Sequence, residues 1–176
     1  MEIQRTDFSG VFLYTPKVLE DSRGSFMESY RSEWFTRVNF IQDNEVVSKK
    51  GVIRGLHFQL PPFGQTKLIR VIEGEILDVI IDLRKSSETF GKVFSVRLSG
   101  ENKTQLLVPK GFAHGYTTLS ESATVLYKVD QYYNKKYDMG IFPLSESLSI
   151  NWGVSDMLLS EKDQQLIDFK DFKSPF

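Results

Sequence analysis

The chain contains two histidines, and each stands in a short apolar segment framed by glycine. His57 lies in Gly51-Val-Ile-Arg-Gly-Leu-His-Phe-Gln59, and His114 in Pro109-Lys-Gly-Phe-Ala-His-Gly-Tyr116. Imidazole exchanges protons near neutrality, with an unperturbed pKa of about 6.5, and it is also a common metal ligand. Three roles are open to the pair: metal ligation, proton transfer, or packing in a core.

Spacing separates the first two. Gly51-x5-His57 and Pro109-x-Gly-x-x-His114 resemble the two motifs of the cupin superfamily, a double-stranded β-helix jelly roll. A metal-binding cupin typically has His-x-His, then Glu, then the second-motif His. Gln59 stands here for the second His, Lys67 for the Glu, and Thr118 for the Asn that closes the second motif. One imidazole per motif with an ammonium between them is a poor divalent site, because ligands must donate lone pairs and the lysine repels the cation. The expectation is a barrel with no metal.

The same residues suit carbon-acid chemistry. Removing a proton α to a ketone needs a base of near-neutral pKa, a cation for the developing enolate and an acid to return the proton. His57 can be the base, Lys67 can face the enolate oxygen, and Tyr127 can protonate the opposite face. A base and an acid on opposite faces of a planar enolate invert a stereocentre without a redox cofactor. Neither Gly-x-Gly-x-x-Gly nor Gly-x4-Gly-Lys-Ser/Thr occurs, so no cofactor is expected.

These side chains must be held by strands. Short runs rich in Val, Ile, Phe and Tyr recur at 11–15, 25–30, 46–48, 52–59, 67–73, 75–83, 92–98, 104–108, 115–119 and 123–133. Turn residues punctuate them, a pattern of a mainly β sandwich or closed barrel. Alternation puts Val125, Tyr127 and Val129 on one face. The run 76–83 reads as a strand buried on both faces, with Asp78 and Asp82 its polar exceptions. Helices are few: one over 32–38 capped by Ser32, another over 160–167 opened by Ser160-x-x-Asp163. The tail 168–176 reads as peripheral. No repeat or linker divides the 176 residues, so a single domain is expected, with its core at about 10–163.

Composition bounds the partners. Hydrophobic residues make up 40% and charged residues 26%, and the formal net charge is −1. No global basic field gathers nucleic acid or an anionic membrane, and any anionic ligand must meet local arginines and lysines. Cysteine is absent, which excludes thiolate chemistry and disulfides. No apolar run reaches a membrane span and the N-terminus is no signal peptide, so the cytoplasm is the expected compartment.

A more specific resemblance covers about Gly10 to Asp163. The two histidine segments occur in order with Gly74-Glu-Ile-Leu-Asp-Val-Ile-Ile-Asp-Leu-Arg84, Ser87-Glu-Thr-Phe-Gly91, Leu126-Tyr-Lys128 and Leu159-Ser-Glu-Lys-Asp163. Together they resemble the dTDP-4-dehydrorhamnose 3,5-epimerase family, metal-free cupins. The resemblance implies that His57 removes the C5 and C3 protons of a dTDP-linked 4-keto-6-deoxyhexose, with Asp163 orienting it. It implies that Lys67 supports the enolate and Tyr127 is the acid. Arg54 and His114 would line the sugar–diphosphate pocket with Gln42 and Asn44. Arg23 and Glu28 would reach the site from the neighbouring subunit of a homodimer.

Several alternatives stand at this point. His114 is either catalytic or pocket-shaping. Tyr132 and Tyr133 compete with Tyr127 as the acid, and Asp163 has a rival role as a helix cap. Arg54 and His57 are three apart, so a regular strand would point them to opposite faces unless Gly55 makes a bulge. Val46 puts an apolar side chain where this family usually has a small polar one. At the level of function, a mono-epimerase, a related 4-keto-sugar isomerase and a non-catalytic sugar-nucleotide binding module compete with double epimerisation.

Overall fold

The computed structural model describes residues 1–176. Alternating apolar residues build two facing antiparallel sheets. One runs in the order β1 (Glu2–Arg5), β2 (Phe12–Thr15), β10 (Gln105–Val108), β7 (Lys67–Glu73), β12 (Ser122–Val129) and β5 (Gln42–Lys49). The other runs β13 (Asp138–Gly140), β6 (Ile53–Gln59), β11 (Phe112–Thr118), β8 (Glu75–Asp82) and β9 (Val93–Ser99). A separate hairpin pairs β3 (Val18–Asp21) with β4 (Gly24–Met27). The architecture is the double-stranded β-helix jelly roll of the cupins.

The two sheets enclose the main core, in which Ile69, Val71, Leu106 and Val125 of the first meet Ile76, Ile80 and Phe112 of the second. A second cluster lies behind the five-stranded sheet and includes Leu56, Phe58, Val79, Ile81 and Trp152. β8 serves both, with Ile76 and Ile80 in the first cluster and Val79 and Ile81 in the second. Its apolar run is therefore buried on both faces, as expected. At its end, buried Asp82 accepts bonds from Arg84, Ser87 and Thr89 and ties down the following turn.

Three expectations need correction. Ser32 is not a cap: it is the first residue of a 3-10 turn, Ser32–Phe35, that has no side-chain cap bond. The turn is held instead by Phe35, packed on Tyr14, Leu68 and Leu107 behind the six-stranded sheet. The 160–167 helix is a single turn, α1 (Glu161–Gln164). The tail is not peripheral. Phe172 and Phe176 pack edge-on against Phe58, and the buried Ser174 hydroxyl donates to the Leu83 carbonyl. Apolar area behind the five-stranded sheet drives that docking.

No helix is long and apolar enough to cross a membrane.

Candidate active site

A cleft of about 700 Å³ opens between the sheets. Strand register explains what lines it. Across β5, β12 and β7, Asn44 is opposite Tyr127 and Tyr127 opposite Ile69, while Gln42 is opposite Val129 and Val129 opposite Lys67. Pairs and next-but-one neighbours share a face, so Gln42, Asn44, Val46, Lys67 and Tyr127 all look inward. Gln42 donates to Asn44 Oδ1 at 2.7 Å.

The facing wall belongs to β6 and β11. His57 is opposite His114 and Arg54 opposite Tyr116, so three steps on β6 match two on β11. The extra residue is a bulge, centred where Gly55 adopts φ +114°. A side chain there would also meet the His114 carbonyl oxygen at 2.6 Å, so glycine is required on two counts. The bulge returns Arg54 and His57 to one face.

His57 Nε2 lies 2.9 Å from Asp163 Oδ1, and His57 Nδ1 has no partner. With Nε2–H donated to the carboxylate, Nδ1 carries the free lone pair. Ser160 caps α1 by accepting from the Asp163 backbone N–H at 3.1 Å. That leaves the carboxylate for His57 and for the Gly55 N–H at 3.5 Å. The two roles of Asp163 are thus divided between backbone and side chain. Burial pushes its carboxyl up, but the bond and charge of His57, with Gly55 and Ser160, bring it below its ordinary range.

His114 is buried, and its Nε2 meets both oxygens of the fully buried Asp78 at 2.9 and 3.0 Å. Burial lowers the Lys67 ammonium to about 8, against the charges of Asp78 and Asp138, which raise it. Burial raises the Tyr127 hydroxyl, with Arg54 acting against it, so Tyr127 keeps its proton at neutral pH. Among its rivals, Tyr132 is 60% exposed, and Tyr133 stands at the cleft mouth bonded to Asp138 Oδ2 at 3.0 Å.

Three cleft residues, Tyr116, Asp138 and Lys162, had no site role in the sequence reading, nor had Asp78, which is buried beneath His114. Tyr116 follows His114 by two and so shares its face; its hydroxyl is 3.1 Å from Ser48 Oγ, which accepts from Arg54 Nε at 2.8 Å. Asp78 was visible only as a charge in an apolar run. Arg23 and Glu28 are not brought to the cleft: Arg23 pairs with Asp21 in the β3–β4 hairpin at 2.6 Å, and Glu28 pairs with Arg31.

The donor set does not fit a divalent metal. Gln59 spends its amide on the Phe63 and Tyr132 carbonyls and the Asn134 N–H, and no three His, Cys, Asp or Glu side chains converge.

The match to known proteins follows this geometry. Residues 5–171 match the family model described as dTDP-4-dehydrorhamnose 3,5-epimerase. The chain belongs to that family. It is 46% identical over 176 residues to the dTDP-4-dehydrorhamnose 3,5-epimerase of Shigella flexneri, covering 96% of this chain and 97% of the relative. A Bacillus anthracis dTDP-4-dehydrorhamnose 3,5-epimerase, solved with TDP and PPi bound, superposes with a TM-score of 0.92 at 44% identity, over 96% of this chain and 99% of that one. The Legionella pneumophila 3,5-epimerase, solved in complex with dTDP-4-keto-L-rhamnose, gives 0.93 at 38% identity, over 98% and 94%. In this 3,5-epimerase fold the six-stranded sheet presents Lys67 and Tyr127 to the cleft, and the five-stranded sheet presents Arg54, His57 and His114.

Proposed function

We propose that this member of the 3,5-epimerase family is an isomerase that inverts C3 and C5 of dTDP-4-dehydro-6-deoxy-D-glucose, giving dTDP-4-dehydro-L-rhamnose for deoxysugar biosynthesis. The observation that carries the reading is the His57–Asp163 pair on one wall, with Tyr127 on the other.

Each inversion is a pair of proton transfers. His57 takes the proton from the carbon next to the C4 ketone, and its new positive charge is held by Asp163. The electron pair moves into the enolate, whose oxygen faces the Lys67 ammonium. Tyr127 returns a proton from the opposite side, and solvent re-protonates the tyrosine and relieves the histidine. The ketone is the electron sink, so the reaction needs no cofactor. Arg54 is placed for the diphosphate, with bidentate guanidinium geometry suited to it. Gln42, Asn44 and His114 shape the sugar pocket, His114 being fixed by Asp78.

Three broader assignments accompany this reading. The chain acts as a single domain, in the cytoplasm, where sugar nucleotides are made. It works as a homodimer in which Arg23 and Glu28 complete the neighbouring cleft. Support for the dimer comes from the β3–β4 hairpin, which stands outside both sheets and leaves Phe26 65% exposed. An apolar ring so exposed favours contact with another surface.

The deciding experiment is turnover of dTDP-4-keto-6-deoxyglucose in deuterated water, followed by NMR. Deuterium at both C3 and C5 with an L-configured product is expected. Label at one carbon makes this a mono-epimerase, a moved carbonyl makes it an isomerase of another kind, and dTDP binding without exchange reduces it to a binding module.

A further inference from the structure

At one end of the cleft two buried hydroxyls join the sheets. Ser48 continues the inward-facing row of β5 that holds Gln42, Asn44 and Val46, and it is 3% exposed. Tyr116 comes from β11 on the other sheet and is 4% exposed. Their oxygens lie 3.1 Å apart, and either hydroxyl can donate to the other. A buried hydroxyl costs free energy unless it is bonded. Tyr116 Oη meets Ser48 alone, and Ser48 Oγ spends its remaining capacity on the Arg54 Nε–H at 2.8 Å. The polar business of the pair therefore ends at Arg54.

Arg54 grows from β6 and is itself exposed. Its guanidinium carries five N–H donors in a rigid planar fork. Nε is held by Ser48, Nη2 stands 3.5 Å from the Val47 carbonyl oxygen, and Nη1 has no partner in the chain. Both tethers lie on β5, so the side chain reaches from one sheet to the other. Nε is at the base of the fork. Holding it there fixes the plane of the guanidinium and leaves the outer N–H groups to a ligand.

We propose that Tyr116 and Ser48 form a bracket that aims the Arg54 guanidinium at a diphosphate before the ligand arrives, making both hydroxyls positioning residues for affinity. The inference rests on Arg54 facing the diphosphate. A long exposed side chain loses rotamer freedom when a ligand immobilises it, and one already held in the bound rotamer avoids that loss. The expected gain in affinity is about three- to tenfold. Ser48 does not line the cleft, so it acts through Arg54 and not by touching the ligand.

The test uses the full chain with Ser48→Ala, Tyr116→Phe, their double variant, Ser48→Thr and Arg54→Ala. Affinities for dTDP and for thymidine are measured by titration. The Arg54 Nε–H resonance is followed by NMR and assigned by its absence in Arg54→Ala. Ser48→Ala should weaken dTDP about three- to tenfold while thymidine, which has no phosphate, stays within about twofold. The Nε–H signal should broaden or vanish. In turnover the loss should appear in KM, with kcat little changed. Tyr116→Phe should act in the same direction but by less, and the double variant should match Ser48→Ala. Ser48→Thr keeps the hydroxyl and should keep affinity and signal. Tyr116→Phe removes one oxygen and no packing, so it carries the same comparison if Ser48→Ala does not fold. Equal losses for dTDP and thymidine would overturn the bracket in favour of a general structural role. Weakening by Tyr116→Phe without weakening by Ser48→Ala would overturn it and make Tyr116 a direct ligand contact. An undisturbed Nε–H signal in Ser48→Ala would overturn it as well. If Arg54→Ala binds dTDP as tightly as wild type, the diphosphate assignment itself fails. If Arg54→Ala binds weakly while both hydroxyl variants bind normally, the bracket alone fails.

Discussion

Arg54 and His57 are three residues apart on one strand yet face the same cleft, because β6 spends an extra residue at Gly55 between its pairings with Tyr116 and His114. The guanidinium and the imidazole owe their shared wall to that bulge. A methyl at position 55 would strain a backbone at φ +114° and collide with the His114 carbonyl oxygen. Gly55→Ala is therefore expected to cost about 2 kcal/mol or more, seen as a melting temperature lowered by roughly 4–8 °C. Turnover should fall further than the loss of folded protein explains. A variant that melts and turns over like wild type would show that the bulge does not set the site.

His57 and Asp163 should behave as a unit. Replacing His57 by Ala is expected to reduce kcat by roughly 10²–10⁴-fold, and Asp163→Asn by less. The double variant should be scarcely slower than His57→Ala alone, since groups that act together are not additive. Steady-state kinetics on the three proteins reads this directly, and full additivity would separate the two residues.

Lys67 sets an alkaline limit. Only its charged form stabilises the enolate, and burial brings it to about 8. In the free enzyme kcat/KM should decline as pH rises through that value. Lys67→Met should be slow and lack this limb. Asp78 raises the ammonium, so Asp78→Asn should move the limb to lower pH. A pH–rate profile checks each, and an unmoved limb in Asp78→Asn would break the link.

Asp82 concerns stability, not turnover. Burial pushes its carboxyl up, but the bonds from Arg84, Ser87 and Thr89 outweigh this and bring it to about 2. A depressed carboxyl contributes stability above its unfolded value of 3.8, and that contribution is lost as pH falls through about 2. Asp82→Asn should cost about 3 kcal/mol near neutrality, as breaking a buried charged network does. The gap from wild type should persist to about pH 4 and close toward pH 2. Thermal melts across that range test it.

Mixing tests the proposal that neighbouring subunits share a cleft. Arg23→Ala and His57→Ala homodimers should each be impaired, and subunits mixed after partial unfolding should regain activity in hybrids that hold one intact site. No recovery on mixing would place Arg23 outside the neighbour's site.

Much of this site was legible because its residues sit on strands, where period-two alternation fixes facing. Tyr127 looks inward as alternation requires, Lys67 stands in the cleft where its place in the cupin motif put it, and the mismatch of Arg54 with His57 itself pointed to Gly55. Asp78 could not be assigned as the partner of His114, since their meeting depends on β8–β11 register across 36 residues of chain. Asp138 and Lys162 were hidden for the same reason. β13 is three residues long, too short for any periodicity to mark it. In the tail, Phe169, Phe172 and Phe176 carried an apolar spacing that polar neighbours masked.

His57 and Tyr127, the proposed base and acid, hang from different sheets, and no covalent neighbourhood relates them. Their separation is inherited from the thickness of the core between the sheets, where Ile69 and Val125 meet Ile80. The hydrophobic interior is thus a ruler as well as a source of stability. Trimming a methylene there, with no change to any cleft residue, alters the gauge across which a sugar ring must be handed a proton.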